Sequence, residues 1–219
     1  MKIEDALKNR LSKSVDALVK ASLREIDKWI RDGLTLDEIF DKLRTLRLSS
    51  AQSVQLKAAL EGAMNDIVDA RGSIVDELTG ADINVVKAAS QLSFAKMKDE
   101  VRTSFIPTVQ KAIAAKSGPT VLMHQLRQME FSRPKTLAYT SLAQFNNGLT
   151  IATGEASGVE KYLWDGPAPI PTSHEICKQN AGKVFTLEQL DAMDNGTDLP
   201  VRTSLGAYGC RHYWTALPE

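Results

Sequence analysis

The sequence predicts an α+β protein: a mostly α-helical N-terminal region followed by a small C-terminal mixed α/β, loop-rich domain. Two observations carry this reading. Through about residue 150, apolar residues recur every three to five positions with charged residues between them, the spacing that gives a helix one dry face. From Gly154 onward Gly, Pro, Thr and aromatic residues take over, and residues 159–164 alternate in the manner of a strand. The predicted division is a helical region over 1–150, suited to be an assembly arm, and a small domain over 151–219.

The elements follow in order. Ile3, Leu7, Leu11, Val15, Leu18, Leu23, Ile26 and Ile30 make one apolar stripe, so a long amphipathic helix runs to Asp32 and Gly33. Thr35, followed three residues later by Glu38, has the capping-box pattern and opens a second helix carrying Ile39, Phe40, Leu43 and Leu46. Ser49 and Ser50 can cap a third, with Val54, Leu56, Leu60, Ile67 and Val68 as its stripe and a break at 78–80. A fourth is expected from about Asn84 through Leu92, Phe94 and Met97 to Val101. Pro107 then interrupts a shorter pattern carrying Val109, Ala112 and Ile113. Pro119 suits the first turn of the next helix, with Val121, Leu122, Leu126 and Met129. Arg133 and Pro134 start another, whose apolar side is Leu137, Ala138, Leu142, Phe145 and Leu149. Its other side, with Tyr139, Thr140, Gln144, Asn146 and Asn147, is polar but uncharged, which suits packing on a polar partner or on the chain's own second domain. In the C-terminal segment, residues 165–167 turn the strand, and residues 186–193 are the one helical interlude, capped by Thr186 with Gln189 at the third position.

Charge sets bounds on partners. Over 219 residues, 27 Lys and Arg balance 27 Asp and Glu, which argues against a bulk nucleic-acid binder. The balance is uneven along the chain: residues 101–150 carry six basic residues against one acidic, and residues 151–219 carry five against nine. The basic segment is therefore a candidate face for DNA or an acidic partner. No apolar run reaches the roughly 20 residues that span a bilayer, and the first residues lack the apolar core of a signal peptide. The chain is expected in a reducing cytoplasm, where its two cysteines would stay reduced or bind metal.

The stretch GAYGCRHYW, residues 206–214, concentrates the chemistry. His174 and Cys177 are separated by two residues, and Cys210 and His212 by one. Two sulfurs and two imidazoles suit tetrahedral zinc, and a domain of about 60 residues with few aliphatic side chains would gain from such a cross-link. Two alternatives stay open: a Cys177–Cys210 thiol pair or late disulfide, and separate buried cysteines beside hydrogen-bonded histidines. A catalytic Cys-His arrangement is set aside, because no carboxylate or amide is placed to orient the base. Arg211 is a guanidinium that could pair with Asp165, Asp191 or Asp194.

One ordered set of residues carries a resemblance. Ala138-x6-Phe145-Asn146-x-Gly148 is followed by Gly158-Val159-x2-Tyr162-x-Trp164, Thr172-Ser173-His174-x2-Cys177, Gly182-Lys183-x-Phe185 and Gly209-Cys210-Arg211-His212. This order resembles the minor head, or head morphogenesis, proteins of tailed bacteriophages, typified by the phage Mu F-like family, over residues 133–214. The resemblance implies a non-enzymatic virion protein, assembled in the host cytoplasm and present in several copies at the portal or against the major capsid protein. Its role would be in head assembly, DNA packaging or genome delivery. The appended enzyme-like domain of some relatives is missing from this sequence. The competing expectation is a small metal-dependent hydrolase or toxin-like effector, with His174, Cys177, Cys210 and His212 holding a metal that keeps an open position.

Overall fold

A computed structural model describes residues 2–45, 50–72, 78–129 and 131–218, with side chains described outside 2–8, 50–53, 81 and 91–98. Six helices come first: α1 (Lys2–Arg31), α2 (Leu36–Thr45), α3 (Ser50–Arg71), α4 (Gly80–Ala114), α5 (Pro119–Arg127) and α6 (Ser132–Ala156). A mixed segment follows: β1 (Lys161–Asp165), α7 (Glu175–Asn180), β2 (Val184–Thr186), α8 (Leu187–Asp191), α9 (Val201–Ser204) and β3 (Tyr213–Leu217). The protein is thus α+β, mostly helical, with one antiparallel sheet of order β2-β1-β3. The chain groups into two compact units, residues 1–59 with 95–135, and residues 60–94 with 136–219. This grouping differs from the compositional division at residue 150, because the C-terminal sheet shares its unit with α6 and with residues drawn from α3 and α4.

In the first unit the predicted stripes are largely buried: Leu11, Val15, Leu18 and Ile26 on α1, Ile39 and Leu43 on α2, and Leu122 and Leu126 on α5. Ile3, Leu7, Leu46, Leu92, Phe94 and Met97 lie outside the described side chains, as does the predicted cap Ser49. Val54 and Val121 are exposed and leave their stripes. The Thr35 box forms as expected: Glu38 Oε2 accepts from the Thr35 amide at 2.8 Å, and Thr35 Oγ1 accepts from the Glu38 amide at 3.3 Å. The Thr35 amide and the Thr35 hydroxyl, which both donate to this carboxylate at 2.8 Å, favour its charged form and hold it below its usual pKa. Thr79 and Asp82 make a second reciprocal pair at the start of α4.

Helix α4 corrects one expectation. Pro107 does not interrupt it, and the fourth pattern and the shorter one after it form a single helix of 35 residues. Val101, Phe105, Val109 and Ala112 are all buried, so the apolar stripe crosses Pro107 without losing register. That burial outweighs the missing amide and the crowded carbonyl one turn back, a cost of about 3 kcal/mol. Pro107 itself is exposed. Pro107→Ala should therefore raise stability by roughly 1–3 kcal/mol in urea denaturation, the lower end allowing for lost stiffness in the unfolded chain. An unchanged or lower midpoint would show that Pro107 costs this helix nothing.

The basic segment also finds local partners. In this same unit Arg127 faces Asp27 at 3.8 Å, Arg133 faces Glu100 at 3.1 Å, Lys135 faces Asp16 at 2.8 Å and Arg102 faces Asp99 at 3.4 Å. Much of its positive charge is met by acids of its own unit.

In the second unit α6 runs on to Ala156, past the compositional break at Gly154. That glycine is a point of close approach: a Cβ there would lie 2.5 Å from Tyr162 Oη. The uncharged polar side of α6 binds the C-terminal segment, one of the two roles expected for it. Asn147 Nδ2 donates to the Thr203 carbonyl at 2.9 Å, and Asn147 Oδ1 accepts from the Trp214 amide at 3.3 Å. Thr140 Oγ1 accepts from the Gly209 amide at 3.0 Å. Asn146 Oδ1 accepts from Arg71 at 2.7 Å. Each bond saturates a group that burial would otherwise leave costly.

The sheet core is aromatic. β1 pairs with β2 through Tyr162 opposite Phe185, and with β3 through Trp164 opposite Trp214. Trp164 and Trp214 pack edge to face at 5.2 Å, with Phe185 against both, over Ile151, Leu190, Val201 and Leu205. A segment poor in aliphatics thus builds its core from large rings, each of which removes much apolar surface from water. Thr186 and Gln189 form their capping box. Two short helices, α7 and α9, were not expected, so the 186–193 stretch is not the segment's one helical piece.

Candidate metal centre

The two cysteines approach from different elements. Cys177 lies in the first turn of α7, not in a loop as its neighbours suggested, and His174 is the residue that precedes this helix. Cys210 follows the turn after α9, where its amide donates to the Ala207 carbonyl at 3.2 Å. His212 comes just before β3. Its Cα is 3.0 Å from where a Gly166 side chain would begin, and its ring stands edge-on to Trp164 at 6.4 Å. Packing on both sides fixes the imidazole.

Cys177 Sγ and Cys210 Sγ are 3.5 Å apart, and Cys210 Sγ is 3.6 Å from His212 Nδ1. The ligand atoms of Cys177, Cys210 and His212 all lie within 4.8 Å of one another. Tetrahedral zinc, with bonds of about 2.3 Å to sulfur and about 2.0 Å to nitrogen, separates such atoms by about 3.5–3.8 Å. The two separations through Cys210 suit that geometry, and the sulfurs stand farther apart than the 2.03–2.05 Å of a disulfide. Both cysteines are free thiols. These three residues could hold a metal ion. His174 lines the same cavity, but its Nε2 is 2.9 Å from the Tyr208 carbonyl oxygen, and it stands outside the close group.

The electrostatics of the pair are asymmetric. The contact with Cys177, in which either sulfur can donate, together with the His212 and Gly206 amides and the His212 ring holds Cys210 below its ordinary value, against the opposing effect of burial. Cys177 moves the other way, chiefly through the same contact and then through burial. Backbone amides aimed at a sulfur stabilise its thiolate, the form that binds metal. His212 Nε2, the ring nitrogen other than the one that faces Cys210, is buried without a hydrogen-bond partner.

Gly206 is the contributor that spacing did not reveal. A side chain there would collide with Cys177 Sγ and stand 3.2 Å from Cys210 Sγ. It is flanked by two non-glycine residues of positive φ, Leu205 at 49° and Ala207 at 88°, so a strained turn wraps the sulfurs. Arg211 does not make the pairs expected of it. Asp191 is taken by a two-pronged contact from Arg202, Asp165 accepts from Gly166 and Thr215, and Asp194 accepts from Gly196.

The cavity beside the sulfurs is about 140 Å³ and is lined by Ile170, Thr172, Ser173 and Arg211 together with the Cys and His side chains. Among the described residues, no helix is long and apolar enough to cross a membrane. Compared with family models, curated proteins and solved structures, the chain has no match.

Proposed function

We propose that this chain is a structural minor head protein of a tailed bacteriophage, acting at the portal and inner capsid in head assembly, DNA packaging or genome delivery. The supporting observation is where the ordered signature goes. Tyr162, Trp164, Phe185, Cys177, Cys210 and His212 all serve one folded unit, as its aromatic core and as the sulfur–imidazole cluster beside that core. Residues used in this way specify a domain. The cavity at the cluster, about 140 Å³, also falls below the roughly 300–1,000 Å³ of typical small-molecule sites. With four of its six cations facing acids of its own unit, the 101–150 segment is assigned to protein packing before DNA.

Within this reading Cys177, Cys210 and His212 hold a structural zinc, and His174 completes the set by giving up the Tyr208 carbonyl. A bound zinc supplies a cross-link between α7 and the strand entering the sheet. The competing reading, a metal-dependent hydrolase or toxin-like effector, is favoured by one observation: among the described residues three donors are gathered, which would leave one position for water.

Two measurements decide. Particles purified from a lysate should contain the chain in filled heads, in fewer copies than the major capsid protein and cross-linkable to the portal. Its absence from both heads and proheads would overturn the assignment. Purified protein should carry stoichiometric zinc, lose much of it on His174→Ala, and hydrolyse no activated ester. Ester turnover that follows zinc content would select the effector instead.

A further inference from the structure

We propose that Cys177 and Cys210 are a redox pair in which Cys210 is attacked first by a peroxide and Cys177 resolves it to an internal disulfide, a reaction that zinc at the centre holds back. The last clause rests on the zinc reading above. The first does not.

The geometry carries the order of events. Cys177 is 1% exposed, whereas Cys210 is only partly buried, and both border the cavity that reaches solvent. A peroxide therefore meets Cys210 before Cys177. With the sulfurs 3.5 Å apart, the buried thiol is already next to the atom it must attack. The strained turn at 205–207 and the first turn of α7 hold the two in place, so little chain must be ordered for the second step.

The steps balance with hydrogen peroxide as oxidant. Cys210 sulfur attacks one peroxide oxygen, the O–O bond breaks, and Cys210 becomes a sulfenic acid as one water leaves. Cys177 sulfur then attacks the Cys210 sulfur, the S–O bond breaks, and a second water departs with the Cys177 proton. Two thiols are oxidised by two electrons, and the peroxide is reduced to two waters. Zinc on both sulfurs occupies the lone pairs that would attack, so oxidation must expel it. The centre would exchange a metal cross-link for a covalent one between the same two elements.

The test uses the full chain, zinc-free after chelation and zinc-loaded, treated with hydrogen peroxide and read by intact mass, thiol titration and peptide mapping. Zinc-free protein should lose both thiols to a monomeric Cys177–Cys210 cross-link. The loaded protein should react at least about tenfold more slowly and release zinc as the cross-link forms. Cys177→Ser should trap the Cys210 sulfenic acid as a dimedone adduct, and Cys210→Ser should label far more slowly at Cys177. Equal labelling of the two variants, or sulfinic acid without an internal cross-link in the wild type, would overturn the inference. A protein that binds no zinc yet forms the cross-link would remove the metal reading and leave the redox pair. One that binds zinc but never cross-links would do the reverse.

Discussion

On the proposed zinc reading, Gly206→Ala should abolish stoichiometric zinc binding, and it should lower the stability of the C-terminal unit even in the absence of metal. The added methyl collides with Cys177 Sγ and crowds Cys210 Sγ at 3.2 Å, so the two sulfurs cannot keep their present separation. Gly206 is not itself at positive φ, and the penalty is therefore one of space and not of backbone conformation. Its neighbours leave the turn little freedom to withdraw, since Leu205 and Ala207 already occupy left-handed conformations. Crowding of a well-packed site costs about 1–3 kcal/mol, and that loss should appear in chemical denaturation of zinc-free protein. A control separates the two causes. Gly196 has φ of 73° with nothing within 4 Å of a Cβ, so Gly196→Ala should cost only about 1 kcal/mol of backbone strain and leave zinc binding intact. If Gly206→Ala retains full zinc and wild-type stability, the turn does not pack on the sulfurs.

What the sequence made legible was whatever depends on near neighbours. The boxes at Thr35 with Glu38 and Thr186 with Gln189 are three-residue patterns whose hydrogen bonds stay inside one helical turn, and both form. The start of α5 at Pro119 follows from its fixed φ. Pro107 shows the limit of such rules: its local cost is real, but the stripe from Val101 to Ala112 is buried, with Phe105 packed on Phe131 at 5.2 Å. Gly154 misleads for a related reason, since its composition suggests a break while its role is to admit the Tyr162 ring. At the candidate centre the pairs His174 with Cys177 and Cys210 with His212 were visible as spacings. The separation of His174 from the other three was not, because it depends on which carbonyl the imidazole meets. Gly206 left no signal, since a glycine required by a distant sulfur looks like any glycine in a turn. The polar side of α6 was the most informative surface. Its lack of charge marked it as a face to be covered, and Asn147 and Thr140 now bind the residues leading into β3.

Trp164→Ala should be the most destabilising substitution of the C-terminal unit, by about 3–5 kcal/mol. The side chain is fully buried and touches Trp214, Phe185 and His212, so its removal opens a cavity at the centre of the sheet's packed face. The same cavity frees the imidazole of His212, and zinc affinity should fall along with stability. A comparison of the two tryptophans tests the packing further. Trp164 Nε1 is buried without a hydrogen-bond partner, whereas Trp214 Nε1 donates to the Arg202 carbonyl at 2.8 Å. Phe at position 164 gives up ring area but also removes an unsatisfied donor, whose burial costs about 1–3 kcal/mol, so the two effects offset. Phe at position 214 gives up the area and strands the carbonyl that holds α9 against the sheet. Urea midpoints should therefore place Trp164→Phe near the wild type and Trp214→Phe well below it. The opposite order would mean that the Trp164 indole has a partner, and that the ring supports His212 through a bond and not through its bulk.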